Sequence, residues 1–163
     1  MGILKKIFGL NPKENKTSEI KQTDKTFDFD SLVEKAKATN EVNDLNNLYL
    51  KFFELNVWNY IVPKNCSIEE AKPFIAVLDD KPWLFVFTDE KKADKYAKTF
   101  GGFHENNGNT FIVKLTKEES LNMIKHLHEK GVIGLRINEG ENGWFTDIPG
   151  LFNIKNQLEK QST

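Results

Sequence analysis

The sequence is poor in the residue types that most often carry chemistry or a strong charge. It holds one cysteine, Cys66, and one arginine, Arg136, among 163 residues. A single cysteine excludes an internal disulfide and favours a reducing compartment, so we predict a cytoplasmic protein. The 23 basic and 24 acidic side chains nearly cancel, whereas a nucleic-acid interface needs a basic face and prefers arginine. We therefore expect no nucleic acid among the partners.

Long hydrophobic runs are also missing, since no stretch approaches the ~20 apolar residues that span a bilayer. The N-terminal stretch MGILKKIFGL has its lysines inside the apolar run, unlike a secretory signal. On a short helix over residues 2–10, four apolar side chains would share one side: Ile3, Leu4, Ile7 and Phe8. This pattern indicates either a leader without a fixed partner or a segment that docks reversibly on the inner membrane surface or on another protein.

A polar segment separates this leader from the rest of the chain. Residues 11–26 read NPKENKTSEIKQTDKT and contain one isolated apolar residue, Ile20. Such a composition cannot offset the entropy cost of ordering, so we predict a flexible leader and linker over residues 1–26. The 13 Phe, 3 Trp and 3 Tyr can supply the core of one folded domain, which we place at residues 27–160.

Hydrophobic periodicity within this domain predicts the element order ααβββαβαββα. The runs FIAVL and WLFVF are joined by DDKP and are typical of a hairpin of central strands covered on both faces. Thr88 is expected to cap the following helix, while Thr116 and Glu119 have the spacing of a capping box. The resulting fold class is α/β (α+β), a single domain with a mixed sheet of about five or six strands and helices packed against it.

Catalytic and metal-binding patterns are absent from the sequence. His126 and His128 lie two apart on a predicted helix, where they cannot share a metal, and Cys66 has no CxxC companion. Serine occurs in no GxSxG elbow. We therefore predict no metal, no cofactor and no enzymatic activity, although a nucleophilic Cys66 beside a histidine stays open as an alternative.

The stretch GLRINEGENGWFTDIPG, residues 134–150, is the part of the sequence that most resembles a site. Asn142 and Gly143 are expected to form a hairpin turn with positive φ, and Pro149 to open the final helix. These assignments explain the glycines by geometry and leave Arg136 and Asn138 without a structural role. A second surface feature is the predicted helix face with Lys91, Lys95 and Lys98, which suits either solvent or an acidic partner.

Several stretches together resemble one bacterial family. The segments FTDEKKADKYAKTF and VIGLRINEG, and the upstream NYIVP followed by FIAVLDDKPWLFVFTDE, are similar to the SseB protein N-terminal domain family. The resemblance covers about residues 42–159, and Glu139 stands where the family pattern has proline. It implies a bacterial α/β domain without an established enzymatic activity.

Two functional hypotheses follow. The first is a non-enzymatic interaction or regulatory module that binds another protein through the helix-free surface of its sheet or through the strand ends. Its candidate contact residues are Trp83, Arg136 and Trp144, because tryptophan and arginine favour the centres of interfaces. The alternative is a small-molecule or anion-binding domain that uses Arg136, Asn138 and backbone amides of the glycine turn.

Overall fold

A computed structural model describes residues 26–62, 72–101 and 111–162 of the chain. The predicted leader, most of the linker, Cys66 and His104 lie outside these residues. The elements, in chain order, are α1 (Phe29–Thr39), α2 (Val42–Glu54), β1 (Val57–Ile61), β2 (Ile75–Leu78), β3 (Lys81–Val86), α3 (Glu90–Tyr96) with a π-helical extension (Ala97–Gly101), β4 (Ile112–Thr116), α4 (Lys117–Glu129), β5 (Gly134–Ile137), β6 (Trp144–Asp147) and α5 (Ile148–Gln161). The predicted α/β class and element order are confirmed.

The six strands of the described residues form two hydrogen-bonded sheets that meet at one point. Strands β1 and β4 pair antiparallel, and the larger sheet has the order β2-β3-β5-β6, with β3 and β5 parallel. Asn59 of β1 and Phe87, just after β3, exchange two backbone N–H···O bonds of 2.9 Å. The smaller sheet therefore continues the larger one beyond the start of β2.

The prediction that both hairpin strands are central is wrong for β2. Strand β2 pairs with β3 on one side, and Val77 in its middle is 67 % exposed. The hairpin itself is confirmed, because Asp79 and Asp80 adopt positive φ angles of 51° and 61° in a two-residue connection. A run of apolar residues can therefore form an edge strand in which some side chains are exposed to solvent.

One face of the combined sheet carries the main core and lies beneath α1, α2, α4 and α5. Leu84, Val86, Leu135 and Ile137 point to this side, and each is buried. Their alternation with residues of the opposite face follows the two-residue period of a strand. We call this side the covered face.

The other face is covered over part of its area. Helix α3 and its π-helical extension place Ala93 and Ala97 against Phe85, Phe87 and Ile61, and all five side chains are buried. Toward β6 the surface becomes accessible, since Phe145 is 62 % exposed. We call the surface formed by Trp83, Arg136 and Phe145 the open face.

Most helix ends carry a local sequence signal, and the predictions for Thr116, Glu119 and Pro149 are confirmed. Asp28 caps α1 by accepting the Ser31 N–H at 3.1 Å, and Thr116 and Glu119 form the predicted capping box of α4. Gly131 ends α4 with φ of 100°, and Pro149 lies in the first turn of α5. Among the described residues, no helix is long and apolar enough to cross a membrane.

Two local predictions are wrong. Asp89 rather than Thr88 caps α3, since its carboxylate accepts the Lys92 N–H at 2.8 Å. In the turn between β5 and β6, the positive φ angles fall at Asn138 (49°) and Gly140 (138°). Gly143 is needed instead for close approach, because a β-carbon there would lie 2.8 Å from the Asn138 carbonyl oxygen.

Candidate functional site

The open face is built on a glycine that lets an indole ring lie across the sheet. Trp83 of β3 is the register partner of Gly134 on the parallel strand β5. A β-carbon at Gly134 would lie 2.5 Å from the Trp83 ring and 2.5 Å from the Thr146 carbonyl oxygen. Because real β-carbons do not come this close to other atoms, only glycine leaves room for the ring here.

Arg136 lies two residues farther along β5 and contacts two aromatic rings. Its guanidinium carbon is 5.2 Å from the ring centre of Trp83 and 5.1 Å from that of Phe145. These two rings meet edge to face, with their centres 5.8 Å apart. Each cation–π contact stabilises an exposed arginine by about 0.5–1 kcal/mol, so the pair of rings restrains the guanidinium at the surface.

The carboxylate of Glu139 lies near Arg136 but is not hydrogen-bonded to its Nε. The distance from Arg136 Nε to Glu139 Oε2 is 3.8 Å, which is too long for a hydrogen bond. Nε is buried and has no hydrogen-bond partner among the described residues. The arginine therefore retains hydrogen-bonding capacity that the residues around it do not use.

Tyr96 and Phe100 extend this aromatic region along helix α3. The Tyr96 ring lies 5.6 Å from Phe85 and 5.2 Å from Phe100, and Phe100 is 67 % exposed. Burial raises the pKa of the Tyr96 hydroxyl, Glu139 raises it further, and Arg136 opposes both effects. Tyr96 is thus within electrostatic reach of Arg136, and the exposed Phe100 ring lies beside Tyr96.

The side chain of Asn138 is buried and has a structural role. It is 6 % exposed, and its Oδ1 accepts the Thr88 N–H at 2.9 Å while its Nδ2 donates to Thr88 Oγ1 at 2.9 Å. The side chain therefore ties the end of β5 to the residues between β3 and α3. This engagement leaves little of the Asn138 amide for the predicted anion site, and it also explains why Thr88 does not cap α3.

Trp144 is separated from the other predicted contact residues. It lies on the covered face at 8 % exposure and stacks on Phe29 with ring centres 5.9 Å apart and an interplanar angle of 17°. A contact with a partner is therefore not available to Trp144 without unfolding. Phe145, the next residue after Trp144, is the register partner of Arg136 and was not predicted as a contact residue.

The other polar candidates on the described surface are mostly paired. Lys98 binds Asp94 at 2.6 Å, and His128 Nδ1 lies 3.0 Å from the Val132 carbonyl oxygen. His126 lies 3.8 Å from Glu129. Across the described residues, no three histidine, cysteine or acidic side chains come together as metal ligands.

Comparison with known proteins does not assign the chain to a family. A scan of the chain against models of protein families gives no match, and a search of curated proteins gives none either. The resemblance to the SseB N-terminal domain family therefore stays a prediction.

Proposed function

We propose that this protein is a non-enzymatic interaction module of the SseB-like type, bacterial and cytoplasmic, that binds a partner protein through its open face. The observation that carries the proposal is the exposure of Phe145, at 62 %, beside an arginine that contacts two aromatic rings. A large apolar ring on a sheet face loses contact with water only when another surface covers it.

Preorganisation of Arg136 supports the same function. Binding normally costs about 0.5–1.5 kcal/mol for each long side chain that becomes immobile. The rings of Trp83 and Phe145 already restrain the guanidinium, so less of this cost is incurred when a partner arrives. Tryptophan and arginine are also the residue types most enriched among the contacts that dominate binding energy.

The chemistry of the open face favours a partner with a carboxylate surrounded by apolar side chains. Arg136 can bind a carboxylate with two parallel hydrogen bonds, whereas Glu139 approaches its Nε only to 3.8 Å. Because Nε is buried, a partner carboxylate would bind the Nη groups of the guanidinium, and Glu139 would keep its place beside Nε. The exposed rings of Phe145 and Phe100 would contact the apolar groups around that carboxylate.

A photocrosslinking amino acid placed at position 145 tests the proposal in the cells that produce the protein. Position 42 provides a matched control, because Val42 at the start of α2 is 68 % exposed and Phe145 is 62 % exposed. We expect a discrete crosslinked protein from position 145 and none from position 42. The same adduct from both positions, or none from position 145, would reject the open face as the binding surface.

Two substitutions then examine the role of the guanidinium. Arg136→Ala should reduce the yield of the adduct from position 145 by at least about tenfold, the loss that corresponds to ~1.4 kcal/mol of binding energy. Arg136→Lys keeps the charge but not the planar fork, so an intermediate yield is expected. Equal yields from all three proteins would exclude Arg136 from the interface.

A further inference from the structure

A second site lies away from the open face, in a groove of about 800 Å³ between the start of β1, the start of α3 and the residues that precede α1. Phe27, Phe29, Leu55 and Val57 form its apolar part, and the other ten lining residues are polar or charged. This volume falls in the range of small-molecule pockets, roughly 300–1,000 Å³. The groove also adjoins Thr88, beyond the carboxyl end of β3, the side of an α/β sheet where ligands commonly bind.

Asn59 gives this groove an unsatisfied polar group. Its side chain lines the groove but is 2 % exposed. The Nδ2 group donates to the Phe87 carbonyl oxygen at 3.3 Å, whereas Oδ1 has no hydrogen-bond partner among the described residues. A buried acceptor without a donor costs about 1–3 kcal/mol, so a ligand that supplies a donor gains the energy of satisfying it.

Charges at the rim of the groove compensate one another. Glu90 and Lys114 form an ion pair of 2.7 Å, and Lys92 binds Asp30 at 2.7 Å. Three lysines and three carboxylates lie along the lining in all, so the groove has no net charge. This balance provides no attraction for a strongly charged ligand and favours an uncharged one.

We propose that the groove binds a small uncharged molecule that carries an N–H donor on an apolar body. The N–H donates to Asn59 Oδ1, and the apolar body lies against Phe27, Leu55 and Val57. This site shares no residue with Trp83, Arg136 and Phe145, so it is independent of the proposed protein interface and would stand if that interface were rejected.

Indole and 1-methylindole are suitable probes, because they share a flat apolar body and differ in the N–H donor. Calorimetric titration of the full chain should show saturable binding of indole. Loss of one hydrogen bond to a buried acceptor corresponds to about 5–150-fold in affinity, so 1-methylindole should bind at least ~5-fold more weakly. Equal affinities for the two probes, or no saturable binding of indole, would overturn the proposal.

The Asn59→Leu variant tests whether Asn59 Oδ1 accepts the hydrogen bond from the N–H of indole. This variant keeps a side chain of similar size without the amide, so indole and 1-methylindole should bind it with equal affinity. Phe145→Ala is the control, and it should retain the preference of the unaltered protein for indole. A preference for indole that persists in Asn59→Leu would show that another group accepts the N–H.

Nuclear magnetic resonance of the unaltered protein gives a second test that does not depend on the folding of Asn59→Leu. Indole should shift the side-chain amide signals of Asn59 and the backbone signals of Leu55 and Val57. 1-Methylindole at the same concentration should shift the Asn59 signals less. Shifts confined to residues outside the groove would contradict the assignment.

Discussion

Trp144 and Phe145 are neighbours in the chain, yet they lie in opposite environments on the two faces of the sheet. Trp144 is 8 % exposed and stacks on Phe29 beneath the helices, whereas Phe145 is 62 % exposed and contacts Arg136. The covered face is therefore a place where aromatic rings contribute mainly to stability. On the open face the same kind of side chain contributes less to stability and remains available to a partner.

The largest expected difference in stability between the two faces comes from removing one aromatic ring from each face. Trp58 is fully buried and stacks on Phe52 at 4.2 Å, so Trp58→Ala should reduce the free energy of unfolding by about 3–5 kcal/mol. Phe145→Ala should cost no more than about 1 kcal/mol, because the ring is mostly solvated. Urea unfolding of both variants measures the difference, and similar losses would invalidate the comparison.

A smaller effect is expected from Gly134, where the open face is tightly packed. Gly134→Ala should cost about 1–3 kcal/mol, because the new β-carbon would overlap the Trp83 ring and the Thr146 carbonyl oxygen. In a Trp83→Ala background the cost should fall but not vanish, since the carbonyl remains. Thermal unfolding of the single and double variants gives the coupling between the two positions. Additive losses would mean that the ring does not lie over the glycine.

High pH should weaken the covered face selectively. Burial raises the pKa of the Tyr60 hydroxyl well above its ordinary value, although the nearby Ser120 hydroxyl opposes the shift, and burial also raises the pKa of Tyr49. In the unfolded chain tyrosine ionises near pH 10, so the stability from keeping these groups neutral is complete below about pH 10 and declines above it.

Tyr60→Phe tests this pH dependence. Between pH 9 and pH 11 the unaltered protein should lose about 1–2 kcal/mol more than the variant, as measured by urea unfolding at each pH. Tyr96→Phe is the comparison on the other face, and because that ring is only partly buried its effect should be smaller. Identical pH profiles for the unaltered protein and Tyr60→Phe would refute the role of Tyr60.

A small change in stability is expected at Arg136, although this residue should matter most for binding. Arg136→Ala removes two partly exposed cation–π contacts, and their loss should cost about 1–2 kcal/mol. Arg136→Lys should cost less still. Chemical unfolding followed by tryptophan fluorescence measures both. A loss above about 3 kcal/mol would indicate that Arg136 serves the core instead of the surface.

Features that depend on a few neighbouring residues could be predicted from the sequence. The capping box of Thr116 and Glu119 and the place of Pro149 in the first turn of α5 follow from local geometry, and both are confirmed. The order of helices and strands was predictable for the same reason, because apolar periodicity is a local pattern. Of the candidate contact residues, Trp83 and Arg136 lie in contact with each other, which the sequence did not predict.

Features that depend on distant residues could not be predicted. Thr88 does not cap α3 because its hydroxyl and N–H bind Asn138, which lies 50 positions away in the chain. Strand β2 lies at the edge of its sheet because β5 pairs with β3 and not with β2. Phe145 could have been found only from the register that places it opposite Arg136.

The sequence by itself determined the α/β class, the element order and most helix ends, because these depend on periodicity and on contacts within a few residues. Only the tertiary structure decided which face of each strand is covered. That choice depends on strand pairing and on where the helices pack, and a single apolar run carries no signal for either. The same two factors bury Trp144 and leave Phe145 beside Arg136 at the surface.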